Sequence, residues 1–157
     1  MNDKKAQTRE RILKAASAAL IQRGPAEPSV GEVMGAAGLT VGGFYAHFDS
    51  KDAMMLEAFK QLLTHRRGLI ADMDAGLTGE ERRALVAAFY LSRKHRDSSE
   101  SACPIPASVG ELGRLPDEFR VALNEHVEMM VAQLAASPEE TDKALADMAL
   151  MVGGLAL

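Results

Sequence analysis

Apolar residues recur along this chain at intervals of three and four with polar residues between them, and that period predicts helices nearly throughout. Ile12, Leu13, Ala16, Ala19 and Leu20 mark a first helix over about residues 6–23, which Gly24-Pro25 stops. Val33, Met34 and Ala37 mark a second, shorter helix. Ser29 stands at its N-cap with Glu32 three residues on, the spacing of a capping box. Gly38 can take the positive φ that closes a helix and turns the chain, and Thr40 is expected to cap a third short helix over about residues 40–47. Phe44 and Phe48, one turn apart, would face inward and leave Val41, Gly42, Tyr45, Ala46 and His47 outward. Two short helices joined by a tight glycine turn make a helix-turn-helix.

Beyond Ser50, which caps the next helix, Leu56, Phe59, Leu62, Leu63, Ile70 and Met73 carry the period to about Asp74, a rod of roughly 35 Å. Such a rod reaches from the N-terminal segment into whatever the rest of the chain builds. Residues 76–79 break it, and Thr78 caps a fifth helix carrying Leu85, Val86, Phe89 and Tyr90. That helix is expected to end in Arg93, Lys94, His95 and Arg96, where the helix dipole favours cations; the simpler reading of this run is therefore a helix end rather than a second nucleic-acid patch. Residues 97–106 read as a loop, followed by a helix of two or three turns to Leu115. Pro116 opens a long helix to about Ala136 with Phe119, Leu123, Val127, Met130 and Leu134 on one stripe, and Ser137-Pro138 open the last one. In that last helix Leu145, Met148, Ala149, Val152 and Leu155 form one face, while Leu150, Met151, Ala156 and Leu157 fill much of the rest. A helix apolar most of the way round must be covered on more than one side, by another helix or another subunit.

Composition narrows the class. Of 157 residues 47% are apolar and 25% charged, as in a globular protein, and no apolar run approaches the length of a membrane span. The formal net charge of −4 is unusual for a nucleic-acid binder. Its distribution is uneven: residues 1–60 carry eight Lys/Arg against seven Asp/Glu, and Lys4, Lys5, Arg9, Arg11 and Lys14 crowd the N-terminal arm over residues 1–14, where they could meet phosphate. A single cysteine, Cys103, rules out an intramolecular disulfide framework and suits a reducing cytoplasm.

The run F-Y-A-H-F-D-S-K (residues 44–51), Gly38 before the short helix over residues 40–47, and the R-E-R-I-L-K-A-A opening (residues 9–16) sit at the spacing of the tetracycline-repressor (TetR) family, which residues 8–60 resemble. The resemblance implies an all-α protein: a three-helix helix-turn-helix domain over residues 1–52, joined by a long helix to a helical ligand-binding and dimerisation bundle over residues 53–157. It also implies that the chain stops before the last helix of that bundle, since family members usually carry one more. Tyr45, His47 and Lys51 occupy positions that contact DNA phosphates in this family, and Ser29 and Thr40 stand at helix N-termini that often do so. Val41 and Gly43 replace residues that are often polar in the family. With Gly42 they leave a small-sided face that can approach thymine methyls but makes no bidentate contact to guanine.

Phe89, Tyr90, Phe119, His126, Met130 and Met148, with Cys103, could line an adaptable apolar cavity. Cys103 invites a further reading, because Arg93, Lys94 and Arg96 nearby in sequence could lower a thiol's pKa. No metal-ligand spacing, cofactor motif or catalytic constellation is present, so neither an enzyme nor a resident cofactor is expected.

These features predict a cytoplasmic, homodimeric regulator, a repressor released from a palindromic DNA operator by a small apolar or amphipathic effector. Two alternatives stand beside it. One is a thiol-based sensor acting through Cys103. The other is a helical adaptor that no longer binds DNA, favoured by the glycines at 31, 35, 42 and 43 and by the acidic net charge.

Overall fold

Local chemistry fixes where most of the helices start and stop. In the computed structural model, which describes residues 2–98 and 102–156, every regular element is helical. The centre of the loop over residues 97–106, and Leu157, lie outside the described residues. The first helix, α1 (Asn2–Arg23), ends at Gly24, whose φ of 77° is open to glycine at no steric penalty. Helix α2 (Val30–Ala36) opens on the expected capping box: Ser29 Oγ accepts from Glu32 N–H at 3.2 Å and the Glu32 carboxylate accepts from Ser29 N–H at 2.8 Å. Gly38, at φ 68°, then reverses the chain.

The third short helix departs from expectation in two respects. It is a 3₁₀ helix, η1 (Val41–Ala46), and the Thr40 side chain makes no capping hydrogen bond. Gly42 and Gly43 weaken the segment as an α-helix, and burial of Phe44 and Phe48, whose rings stack 5.9 Å apart, holds it in place instead.

Ser50 Oγ accepts from Ala53 N–H at 3.0 Å and starts α3 (Lys51–Ala71). This rod spans roughly 31 Å and is shorter than predicted, because Asp72 closes it and the Met73 N–H turns back onto the Ile70 carbonyl. It packs on α1 and on α7 (Asp117–Leu134), where the Phe59 and Phe119 rings lie 5.7 Å apart.

Helix α4 (Gly79–Tyr90) is capped by a Thr78–Glu81 box but stops short of the basic run. Ser92 restarts the chain as a one-turn helix, α5 (Arg93–Arg96), its Oγ accepting from His95 N–H at 3.2 Å. The kink swings His95 into the core, which a continuous helix ending in solvated cations would not do. Helix α6 (Ile105–Ser108) is likewise a single turn rather than two or three, continued by turns to Arg114.

After α7, a 3₁₀ turn η2 (Pro138–Glu140) leads into α8 (Thr141–Ala156). The inward face of α8 is Ala144, Met148 and Met151. Leu145, expected inside, is half exposed and Leu150 is 71% exposed. With apolar residues on most sides, the helical period alone could not choose the buried face. Arg83 staples this end of the bundle, donating to the Leu134 carbonyl (3.2 Å) and pairing with Glu140 (2.6 Å) and Asp147 (3.1 Å). One cluster of buried residues runs unbroken from Ile12 in α1 to Met151 in α8.

Candidate functional site

The helix-turn-helix presents a small, uncharged outer face. Thr40, Val41, Gly42 and Gly43 are exposed, and Tyr45, with its ring edge-on to Phe44 at 5.2 Å, is 75% exposed. A phenol held out by a buried aromatic partner is well placed to donate to an anion. His47 is half-buried and its Nδ1 has no hydrogen-bond partner among the described residues. Lys51 is half-buried too, and its ammonium donates to the carbonyl of Ala26, which fixes the start of α3 to the turn after α1. The hydroxyl of Ser29 is committed to its cap.

The basic residues of α1 divide. Arg9 forks onto the Glu57 carboxylate and lies over the Phe48 ring at 4.5 Å, and Arg11 donates to the Ala37 carbonyl at 2.5 Å. Both make contacts within the protein, whereas Lys4 and Lys5 of the same arm are exposed.

A cavity of about 300 Å³ opens between α3, α4, α7 and α8. Phe89, Tyr90, Cys103, His126, Met130 and Met148 all line it, with Ile70, Met73, Ile105 and Met151 completing much of the apolar wall. Phe119 does not: it is buried against Phe59, because its position on α7 turns it toward the first half of α3. Sequence reasoning missed Arg66, a cavity residue whose guanidinium lies 5.9 Å from the Phe89 ring centre. The available signal was its position one turn before Ile70, on the inward stripe of α3.

It also missed His95. Cys103 N–H donates to His95 Nε2 at 3.1 Å, so Nε2 carries the lone pair and Nδ1 donates to the Tyr90 carbonyl at 2.6 Å. Burial, helped by Arg66, holds this imidazole neutral by depressing its pKa. The histidine thereby ties the segment before α6 to the end of α4. Cys103 is 5% exposed, and burial pushes its thiol up; the cation acting on it is Arg66 rather than Arg93, Lys94 or Arg96, which are exposed. The electropositive, accessible surroundings that a reactive thiol needs are therefore not those of Cys103.

The same segment reaches the head. Four residues beyond Cys103 begins the stretch that touches the turn after α1: a methyl group on Gly24 would lie 2.6 Å from the Ala107 carbonyl oxygen and 2.6 Å from the Glu111 carboxylate. Glu111 accepts from Ala26 N–H at 3.0 Å. Cavity wall, α6, the turn after α1 and Lys51 form one connected path. No group of three metal-ligating side chains occurs among the described residues, and no described helix is long and apolar enough to cross a membrane.

Comparison with known proteins agrees with this geometry. Residues 12–58 match the family described as bacterial regulatory proteins, tetR family. An uncharacterized HTH-type transcriptional regulator of Bacillus subtilis (strain 168), YerO, is 28% identical over 102 residues, which is 62% of this chain and 34% of that protein; the aligned part spans about a third of the relative's length. Among solved structures, a TetR-family transcriptional regulator from Agrobacterium tumefaciens superposes with a TM-score of 0.81 at 16% identity, covering 96% of this chain and 86% of that one. Reduced E. coli NemR gives 0.77 at 20% identity over the same shares. Bacillus subtilis FadR in complex with stearoyl-CoA gives 0.64 at 15% identity, over 94% and 84%. At these identities the superpositions establish the fold.

Proposed function

We propose that this chain, whose residues 12–58 match the tetR family of bacterial regulatory proteins, is a cytoplasmic, homodimeric repressor released from a palindromic operator by a small apolar or amphipathic effector. In this reading residues 1–52 serve DNA and residues 53–157 serve effector and partner. Two heads insert η1 into successive major grooves about one helical turn apart. Tyr45, His47, Lys51, Ser29 and Thr40 meet phosphates, while Val41, Gly42 and Gly43 let the helix sit deep and leave much of the specificity to DNA shape. The exposed Leu145 and Leu150 on α8 are the surface a second copy would cover.

One observation carries the regulatory half of the proposal: the residues that wall the cavity and those that brace the head belong to one short segment, with Cys103 and Ile105 at one end and Ala107 and Glu111 at the other. A ligand that displaces the wall moves the brace, and α3 carries the same displacement from Arg66 and Ile70 to Lys51. By linkage, effector and DNA then weaken each other by the same factor.

The test is a titration of labelled duplex. Binding that weakens steeply with salt, and is about tenfold weaker in Tyr45→Ala and weaker in Lys51→Ala, supports the regulator; salt-independent binding or none supports the adaptor. The redox alternative is tested by Cys103→Ser, which in the present reading leaves the inducer response unchanged.

A further inference from the structure

Within the cavity, whose wall is apolar apart from Arg66, Cys103, Tyr90 and His126, two polar atoms stand out. Tyr90 is 9% exposed and His126 2% exposed; the Tyr90 hydroxyl and His126 Nδ1 are both buried, and neither has a well-formed hydrogen bond among the described residues. The neighbour of the Tyr90 hydroxyl is the Cys103 thiol, a weak donor and weak acceptor. Buried polar groups are nearly always paired, and leaving one unpaired is costly, so two on the wall of a single cavity call for an explanation.

We propose that the effector is an uncharged, mostly apolar molecule bearing a hydrogen-bonding oxygen, a phenol, alcohol or carbonyl, which pairs with Tyr90 and His126 while the methionines of α7 and α8 enclose its body. The inference rests on the cavity being the effector site. Both partners are neutral near pH 7: burial pushes the Tyr90 phenol far above its ordinary range and depresses His126 to about 4, with Arg67 and Arg66 adding to the burial. A neutral phenol donates, and a neutral imidazole donates or accepts according to tautomer, so together they suit an oxygen that both gives and takes a hydrogen bond. Arg66 is already engaged within the protein and serves the wall through its contact with Phe89. The volume lies at the lower end of ligand pockets, which favours a compact ring system over a long acyl chain.

The experiment uses the whole chain and a neutral fluorescent reporter, N-phenyl-1-naphthylamine, displaced by three probes of one shape: naphthalene, 2-naphthol and 2-naphthoate. The expected result is displacement by 2-naphthol at about tenfold lower concentration than by naphthalene, with 2-naphthoate weakest. In Tyr90→Phe and in His126→Leu the advantage of 2-naphthol shrinks to about twofold or less, while naphthalene is unaffected. Tyr90→Phe removes a hydroxyl whose protein neighbour is a weakly bonding thiol, and a melting curve of each variant separates loss of fold from loss of the hydrogen bond. Equal displacement by naphthalene and 2-naphthol overturns this inference and leaves the cavity reading standing. Tightest binding of 2-naphthoate overturns the uncharged class. Failure of the reporter and all probes to bind overturns the cavity reading, and this inference with it.

Discussion

Glu111 and Ala26 meet across 3.0 Å, carboxylate to backbone N–H, while the carbonyl of the same Ala26 accepts from Lys51. A single residue thus sits between a residue of the helical body and the start of the long helix. Glu111→Ala removes one charge-assisted hydrogen bond at an exposed turn, which stabilises by roughly 1 kcal/mol. The variant is expected to stay folded and to bind duplex, but a cavity ligand should release that duplex several-fold less effectively than in the parent. Anisotropy of labelled duplex with and without saturating ligand measures this directly.

Gly24→Ala probes the same joint from the other side. Its left-handed φ and the 2.6 Å approach of Ala107 and Glu111 leave no room for a methyl group. The expected loss is roughly 2 kcal/mol or more in chemical unfolding, and a variant as stable as the parent would show that the turn is not pressed against α6.

Tyr45 and Lys51 should behave differently from each other. Tyr45→Ala touches an exposed ring, so it leaves melting nearly unchanged while duplex affinity falls about tenfold. In the proposed reading Lys51→Ala loses a phosphate contact together with the Ala26 anchor, so affinity, salt slope (by about 1) and stability are all expected to decline.

Acidification should weaken the fold in a defined window. The folded pKa of His126 is depressed to about 4, so the unfolded chain binds more protons between roughly pH 6.5 and 4; stability is full above that window and falls as pH drops through it. From His126 alone the loss between pH 7 and pH 5 is roughly 2 kcal/mol. His95, depressed by burial and Arg66, acts in the same direction and would lose its acceptor for Cys103 N–H on protonation. Urea unfolding at the two pH values measures the sum, and in His126→Leu the dependence should be shallower.

Arg83 predicts a stability effect away from either site. Replacing it with methionine leaves the Glu140 and Asp147 carboxylates and the Leu134 carbonyl short of a partner at the junction of α4, α7 and α8. Roughly 2 kcal/mol is expected in chemical unfolding, with duplex affinity per folded molecule unchanged.

The head was legible because its signals are local. Ser29 with Glu32, Gly24, Gly38 and Ser50 each fix a boundary within a few residues, and Phe44 and Phe48 declare the inner face. The body was legible as a set of helices but less so in its breaks. The kink at Ser92 depends on burying His95 beneath the end of α4, a long-range contact that leaves no periodic trace. The same reason hid Arg66, which looks like a surface residue of a solvated helix until α4 covers it, and it misplaced Phe119, whose stripe was right but whose neighbour is Phe59. Leu145 was assigned inward because α8 offers apolar residues on most sides.

The central claim is regulated, two-fold symmetric recognition of duplex DNA. An unbiased selection of random duplexes with the protein tests it most directly. The account predicts enrichment of a palindrome with half-sites about one helical turn apart, bound with steep salt dependence. Absence of any enriched sequence, or enrichment of a site without two-fold symmetry, would contradict it.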